Sequence, residues 1–125
     1  MLFAHLESAG KTDVGRRRAN NEDALVLLEE FGVFCVADGM GGGSSGEIAS
    51  AKIIEEIRKA CHHEDFSGDA IARGHMIFKA INVASAWVFR RARRMNLKVS
   101  GSTVVALVFD HERPGRVIGL HAGDS

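Results

Sequence analysis

Cysteine is scarce in this 125-residue sequence, and Cys35 and Cys61 share no metal-type spacing. A disulfide-built scaffold and a zinc cluster are thereby excluded, and both thiols are expected to be reduced. Charge of either sign is not in excess: 16 Lys plus Arg balance 16 Asp plus Glu. No global field draws nucleic acid or an anionic membrane, so a partner has to be recognised locally. Long apolar runs are missing too. Stretches such as Thr103 to Phe109 fall far short of the roughly 20 residues that cross a bilayer. Met1 to Gly10 also lacks the charged start and apolar centre of a signal peptide. The expectation is a soluble, cytoplasmic chain with no nucleic-acid or membrane partner. Aromatic residues make up only 6% and none is interleaved among Arg90, Arg91, Arg93 and Arg94, so that cluster reads as helix-dipole complement and solvated surface. What remains, 46% apolar and 26% charged, is ordinary composition for one compact domain with a modest core.

Hydrophobic period divides the chain. Leu2 to Leu6, Ala24 to Leu28 and Val33 to Ala37 are short and apolar, and the last two are joined through Glu29 to Phe31 and Gly32 as a hairpin. From Glu47 the period lengthens: Ile48, Ala51, Ile53, Ile54 and Ile57 predict an amphipathic helix ending near His62. Ser67-Gly68-Asp69 offers capping side chains for a longer helix with the stripe Ile71, Ile77 or Phe78, Ile81, Ala84, Val88, Ala92 and Met95. Leu97 to Gly101 breaks it. Thr103 to Asp110 and Arg116 to His121 then read as strands joined by the turn-rich His111-Glu112-Arg113-Pro114-Gly115. No repeat or linker interrupts this order.

The chemistry concentrates where strands end. Val33 to Ala37 runs into Asp38-Gly39, which presents a carboxylate where the backbone leaves a sheet; a turn-forming aspartate is the other reading of this position. Gly41-Gly42-Gly43-Ser44-Ser45-Gly46 fits G-x-G-x-x-G, but a dinucleotide fingerprint needs a strand with an acid after the helix. Here Glu64-Asp65 is followed by a second helix, and an aspartate ahead of the glycines would repel a pyrophosphate. No Gly-Lys-Ser/Thr forms a phosphate loop either. Upstream, Glu22 and Asp23 are adjacent, so on a strand they face opposite ways and one of them, taken as Glu22, shares a site with Asp38. Arg18 can bring a guanidinium to the same place and grip a phosphate. Asp124 follows Gly123 at a further strand end. All-oxygen donors without paired His or Cys suit magnesium or manganese. The six histidines are scattered, or close a helix at His62-His63, and are not taken as ligands.

Asp13-Val14-Gly15-Arg16-Arg17-Arg18-Ala19-Asn20-Asn21-Glu22-Asp23, Val36-Ala37-Asp38-Gly39-Met40-Gly41-Gly42, Gly46-Glu47-Ile48-Ala49-Ser50, Gly101-Ser102-Thr103 and Gly123-Asp124-Ser125 together resemble the ordered motifs of metal-dependent protein serine/threonine phosphatases of type 2C, the PPM class, in their bacterial form. The resemblance covers essentially the whole chain but only the N-terminal half of the family domain. It implies an α+β fold, part of a four-layer α-β-β-α sandwich of two antiparallel sheets flanked by helices, with residues 1–125 a single truncated domain. It further implies Glu22 and Asp38 as metal carboxylates, Gly39 as a carbonyl ligand, Arg18 as the phosphate-binding group and Asp23 in support. By the same likeness Asp124 stands near the metal site, holding an outer water or a further ion, and Thr103 is either structural or a support behind the metal ligands. The implied reaction is in-line attack of a metal-activated water on phosphoserine or phosphothreonine of a protein substrate, with two or more Mg2+ or Mn2+ ions. Met40 stands where some eukaryotic members carry a histidine proposed as general acid. The family's later aspartate motifs lie beyond Ser125, so the resemblance implies weak metal binding and little turnover by this chain alone, with open sheet edges that favour self-association. The alternative is a non-catalytic relative that binds phosphoprotein or another partner.

Overall fold

A computed structural model describes residues 23–41, 44–113 and 115–123. Its elements are β1 (Asp23–Leu28), a short 3-10 turn (Glu29–Phe31), β2 (Val33–Gly41), α1 (Ser45–His62), α2 (Ala70–Arg94), β3 (Ser100–Phe109) and β4 (Val117–Ala122). The expected Leu2 to Leu6 strand lies outside the described residues. β1 and β2 form the expected hairpin, which Gly32 closes at φ 65° while its N–H donates to the Glu29 carbonyl at 3.1 Å. All strands pair antiparallel in the order β1-β2-β3-β4. The two helices are inserted between the central strands.

Alternation gives the sheet two unlike faces. Val33, Cys35 and Ala37 of β2 and Val104, Ala106 and Val108 of β3 are buried against the helices. Val36, Val105 and Leu107, on the other face, are exposed. The fold is α+β, as expected, with one four-stranded sheet covered on one side by two helices.

Helix α1 buries Ala49, Ile53, Ile54, Ile57 and Cys61. Ala51, placed in the stripe from the sequence, faces outward, because the buried arc is centred on Ile53 and Ile57. On α2 the structure selects Ile77 over Phe78 and leaves Phe78, Ile71 and Met95 exposed. Small residues contribute to that shift: Ala70, Gly74, Ala80 and Ala84 share the buried face with Ile77, Ile81 and Val88, and a Cβ at Gly74 would lie 3.6 Å from the Ile118 side chain of β4. Asp69 caps α2 as expected, accepting from the Ala72 N–H at 2.9 Å. Trp87 is half-buried, with the Lys52 ammonium of α1 4.8 Å from its ring centroid.

A buried arginine closes the end of the sheet remote from Asp38. Arg73 donates from Nε to the Gly68 carbonyl at 3.1 Å, from Nη1 to the Phe31 carbonyl at 2.8 Å, and from Nη2 to the Phe109 carbonyl. One side chain thereby ties the first hairpin, the link between the helices and the end of β3. Burial lowers its pKa and nearby Asp110 opposes that shift. Strand β3 ends at Phe109, one residue earlier than expected, because Asp110 turns out to accept the Glu112 N–H at 2.9 Å. It begins at Ser100, three residues earlier, because residues 100–102 continue the ladder with Gly41, Met40 and Gly39.

Candidate active site at the end of the sheet

β2 carries apolar residues down to Ala37 and then delivers Asp38, which is exposed, followed by buried Gly39. The register sets Asp38 between Asp23 of β1 and Thr103 of β3. Thr103 Oγ1 lies 3.5 Å from the Asp38 backbone oxygen, a long contact that still fixes the two strands side by side. On the other flank Val104 pairs with Ala122, so Gly123 falls beside Thr103. Gly123 has φ 86°, and a Cβ there would come within 2.9 Å of Thr103 Cγ2. Only a glycine lets the chain turn this close to β3.

Four residues from four separate sequence motifs, Asp23, Asp38, Thr103 and Gly123, therefore form one row across the sheet end. Neighbouring strands are roughly 4.8 Å apart, so the row is compact enough to border a single site. The start of α1 sits directly behind it. Gly41, at φ 146°, approaches so closely that a Cβ would stand 2.9 Å from both Ser45 Cβ and the Val99 carbonyl oxygen. Gly41 thus serves backbone packing between β2 and the start of α1.

Arg18, Glu22 and Asp124 lie outside the described residues; Glu22 immediately precedes Asp23 in the chain, and Asp124 follows Gly123. Sequence reading identified Asp38, Gly39 and Thr103 separately but not their alignment. The only sequence signal for it is that Asp38-Gly39, Gly101-Ser102-Thr103 and Gly123 each adjoin a predicted strand.

No family profile matches the chain. Comparison with individual proteins is more informative. The serine/threonine protein phosphatase PstP of Mycobacterium tuberculosis is 34% identical over 120 residues, which cover 96% of this chain and 22% of PstP. A putative protein phosphatase 2C-type of Streptococcus pyogenes is 28% identical over 118 residues, covering 92% of this chain and 46% of that protein. Its relatives are the type 2C (PPM) serine/threonine protein phosphatases. Among solved type 2C structures, PppA, described as a key regulatory component of T6SS in Pseudomonas aeruginosa, superposes with a TM-score of 0.80 at 30% identity, covering 91% of this chain and 47% of PppA. The catalytic domain of PstP in complex with two manganese ions gives a TM-score of 0.73 at 29% identity, covering 91% of this chain and 46% of that one. The chain thus spans about half of each of these two solved chains, and a fifth to a half of the two curated relatives named above.

The donor chemistry at the row fits a hard divalent cation: an exposed carboxylate from Asp38 next to the carbonyl of Gly39. Among the described residues, no group of three or more His, Cys, Asp or Glu could hold a metal ion. The described residues therefore hold no complete ligand set. No helix of the described residues is long and apolar enough to cross a membrane.

Proposed function

We propose that this chain supplies one side of a metal-dependent phosphoprotein phosphatase site that hydrolyses phosphoserine and phosphothreonine in the cytoplasm. The supporting observation is the row Asp23–Asp38–Thr103–Gly123, which draws separate type 2C motifs to one end of one sheet. In this reading Asp38 and Gly39, with Glu22 and Asp124, hold magnesium or manganese. The bound cations would neutralise phosphate charge and acidify the attacking water. Arg18 orients the phosphoryl group through paired N–H donors, which a planar guanidinium presents at the spacing of phosphate oxygens. Thr103 and Gly123 set the strand spacing that aims Asp38. No described side chain at the row is assigned as the acid for the leaving alkoxide.

The test is manganese-dependent hydrolysis of a phenyl phosphate ester by the purified chain beside Asp38→Ala. Little or no turnover is expected from the chain alone, because the described residues hold less than a full ligand set. Substantial turnover abolished by Asp38→Ala would overturn that expectation and show that the half-domain assembles a working site.

The exposed Val36, Val105 and Leu107 on one sheet face favour a second reading, in which the chain self-associates or binds a phosphoprotein without turning it over. Sedimentation of the wild-type chain tests the self-association directly, since little turnover is expected under either reading: a mass above that of one 13.5 kDa chain supports it, and a monomer overturns it.

A further inference from the structure

Beyond the row, the end of α2 and the start of β3 enclose a cavity of about 360 Å3. Its wall is apolar at Ile53, Val88 and Leu97, and its cationic groups are Arg93 and Lys98; among the described residues no Asp or Glu lines it. The Arg93 guanidinium lies 5.9 Å from the centroid of the Phe89 ring, itself exposed at the same wall. Ser100 Oγ, also in the lining, is buried and has no hydrogen-bond partner among the described residues. Such an orphaned hydroxyl is uncommon, and an incoming anion would satisfy it. The chemistry is that of a small amphipathic anion site: an apolar wall, two cations and one idle donor.

Its position ties it to the row. Ser100, Gly101 and Ser102 continue directly into Thr103, the register partner of Asp38. The cavity opens on the helix side of the sheet, whereas Val36 and Val105, which share the alternation of Asp38 and Thr103, are exposed on the opposite side. Between them the strand end is low among the described residues: Gly101 has no side chain, and a Cβ built there meets none of them within 4 Å. A peptide crossing at Gly101 would run from one side to the other. Ser100 to Thr103 spans roughly 10 Å at strand rise, the reach of about three extended residues.

We propose that this cavity is a specificity subsite for the phosphoprotein substrate, accepting an acidic residue with an apolar neighbour about three positions from the phosphorylated one. The proposal rests on the phosphatase reading of the row. It gives Arg93 and Lys98 a binding role in addition to solvation of the helix end.

The experiment titrates the isotope-labelled chain with three peptides while amide shifts are followed by NMR. The first carries Glu-Leu three residues from phosphoserine on both sides; the second has Ala-Leu instead; the third keeps Glu-Leu but has serine in place of phosphoserine. Replacing Glu by Ala is expected to weaken binding roughly fivefold, the scale of partly exposed charge pairs. The amides of Arg93, Lys98 and Ser100 should move with the first and third peptides. The surface double variant Arg93→Ala, Lys98→Ala should erase the discrimination. Equal affinity for the first two peptides, absence of binding by both, or discrimination that survives the double variant would each overturn the subsite. Shifts at the cavity with no added affinity or shift near Asp38 from the phosphate would instead leave the subsite standing and count against the phosphatase reading.

Discussion

Asp38 stands exposed on β2, three residues before the strand ends at Gly41, where its carboxylate can reach a cation without the cost of leaving water. Asp38→Asn should weaken manganese binding roughly tenfold or more, measured by calorimetry, since a neutral amide replaces a charged oxygen ligand. The amino-acid order places Asp38 after an apolar run, but the backbone does not leave the sheet there as expected: β2 continues through Gly41, because Gly39, Met40 and Gly41 pair with residues 102, 101 and 100 of β3. The neighbour of Asp38 in that ladder, Thr103, is 65 residues away in sequence, and no local pattern announces that pairing, so the row became legible only with the sheet register. The cysteines make a second residue-scale prediction. Burial pushes both thiols up to about 12, with Cys61 adding to the effect on Cys35 and the positive charges of Arg73 and Arg58 opposing it at Cys61. Both are free in the structure. They should resist Ellman's reagent at pH 8 in the folded chain and react completely in urea, because the thiolate is the reacting form. Stability should fall as pH rises from about 8.5, where unfolded thiols ionise, toward the folded value. At Asp110, burial acts to raise the pKa, but hydrogen bonds from the Glu112 and Arg113 backbone, the Arg116 charge and a hydrogen bond from the Ala70 backbone outweigh it, leaving the carboxyl below its usual range. A depressed carboxyl stabilises above the unfolded value of roughly 4, and that contribution disappears as pH falls through the folded value. Urea titrations of Asp110→Asn should accordingly show a flatter acid limb than wild type.

The helices and strands were readable because their periods differ, and the errors fall where side-chain size overrides period. α2 could have met the sheet through its larger residues, and the sequence stripe included Ile71, Phe78 and Met95. Close approach through Gly74, Ala80 and Ala84 rotates those three outward, a choice that depends on the facing surface of β4. Ile57→Ala, at a fully buried position of α1, should cost about 3 kcal/mol in chemical denaturation, whereas Phe78→Ala should change stability by less than about 0.5 kcal/mol. Arg73 is the larger surprise, since an arginine inside a helix stripe ordinarily reads as the solvent side. Three carbonyls from three separate segments depend on it. Arg73→Met keeps much of the apolar stem but strands those acceptors, and should lower stability by about 3 kcal/mol.

At the scale of the whole molecule, one side of the sheet carries the helices and the other presents valine and leucine to solvent. Val36→Lys combined with Leu107→Lys should leave the fold intact and reduce any self-association of the wild-type chain, read as a lower weight-average mass in sedimentation. The connectivity bears on time as well as on shape. Each hairpin, β1 with β2 and β3 with β4, is local and can close early, and so can the pairing of α1 with α2. The central β2–β3 ladder must wait until the whole helical insertion has been brought round, and distant pairings of this kind are slow. Asp38 and Thr103 belong to that ladder. During synthesis the chain would therefore acquire its helices and its first hairpin well before the row exists, and any ligand that needs the completed row should act on the last step of folding, slowing unfolding more than it speeds the early collapse.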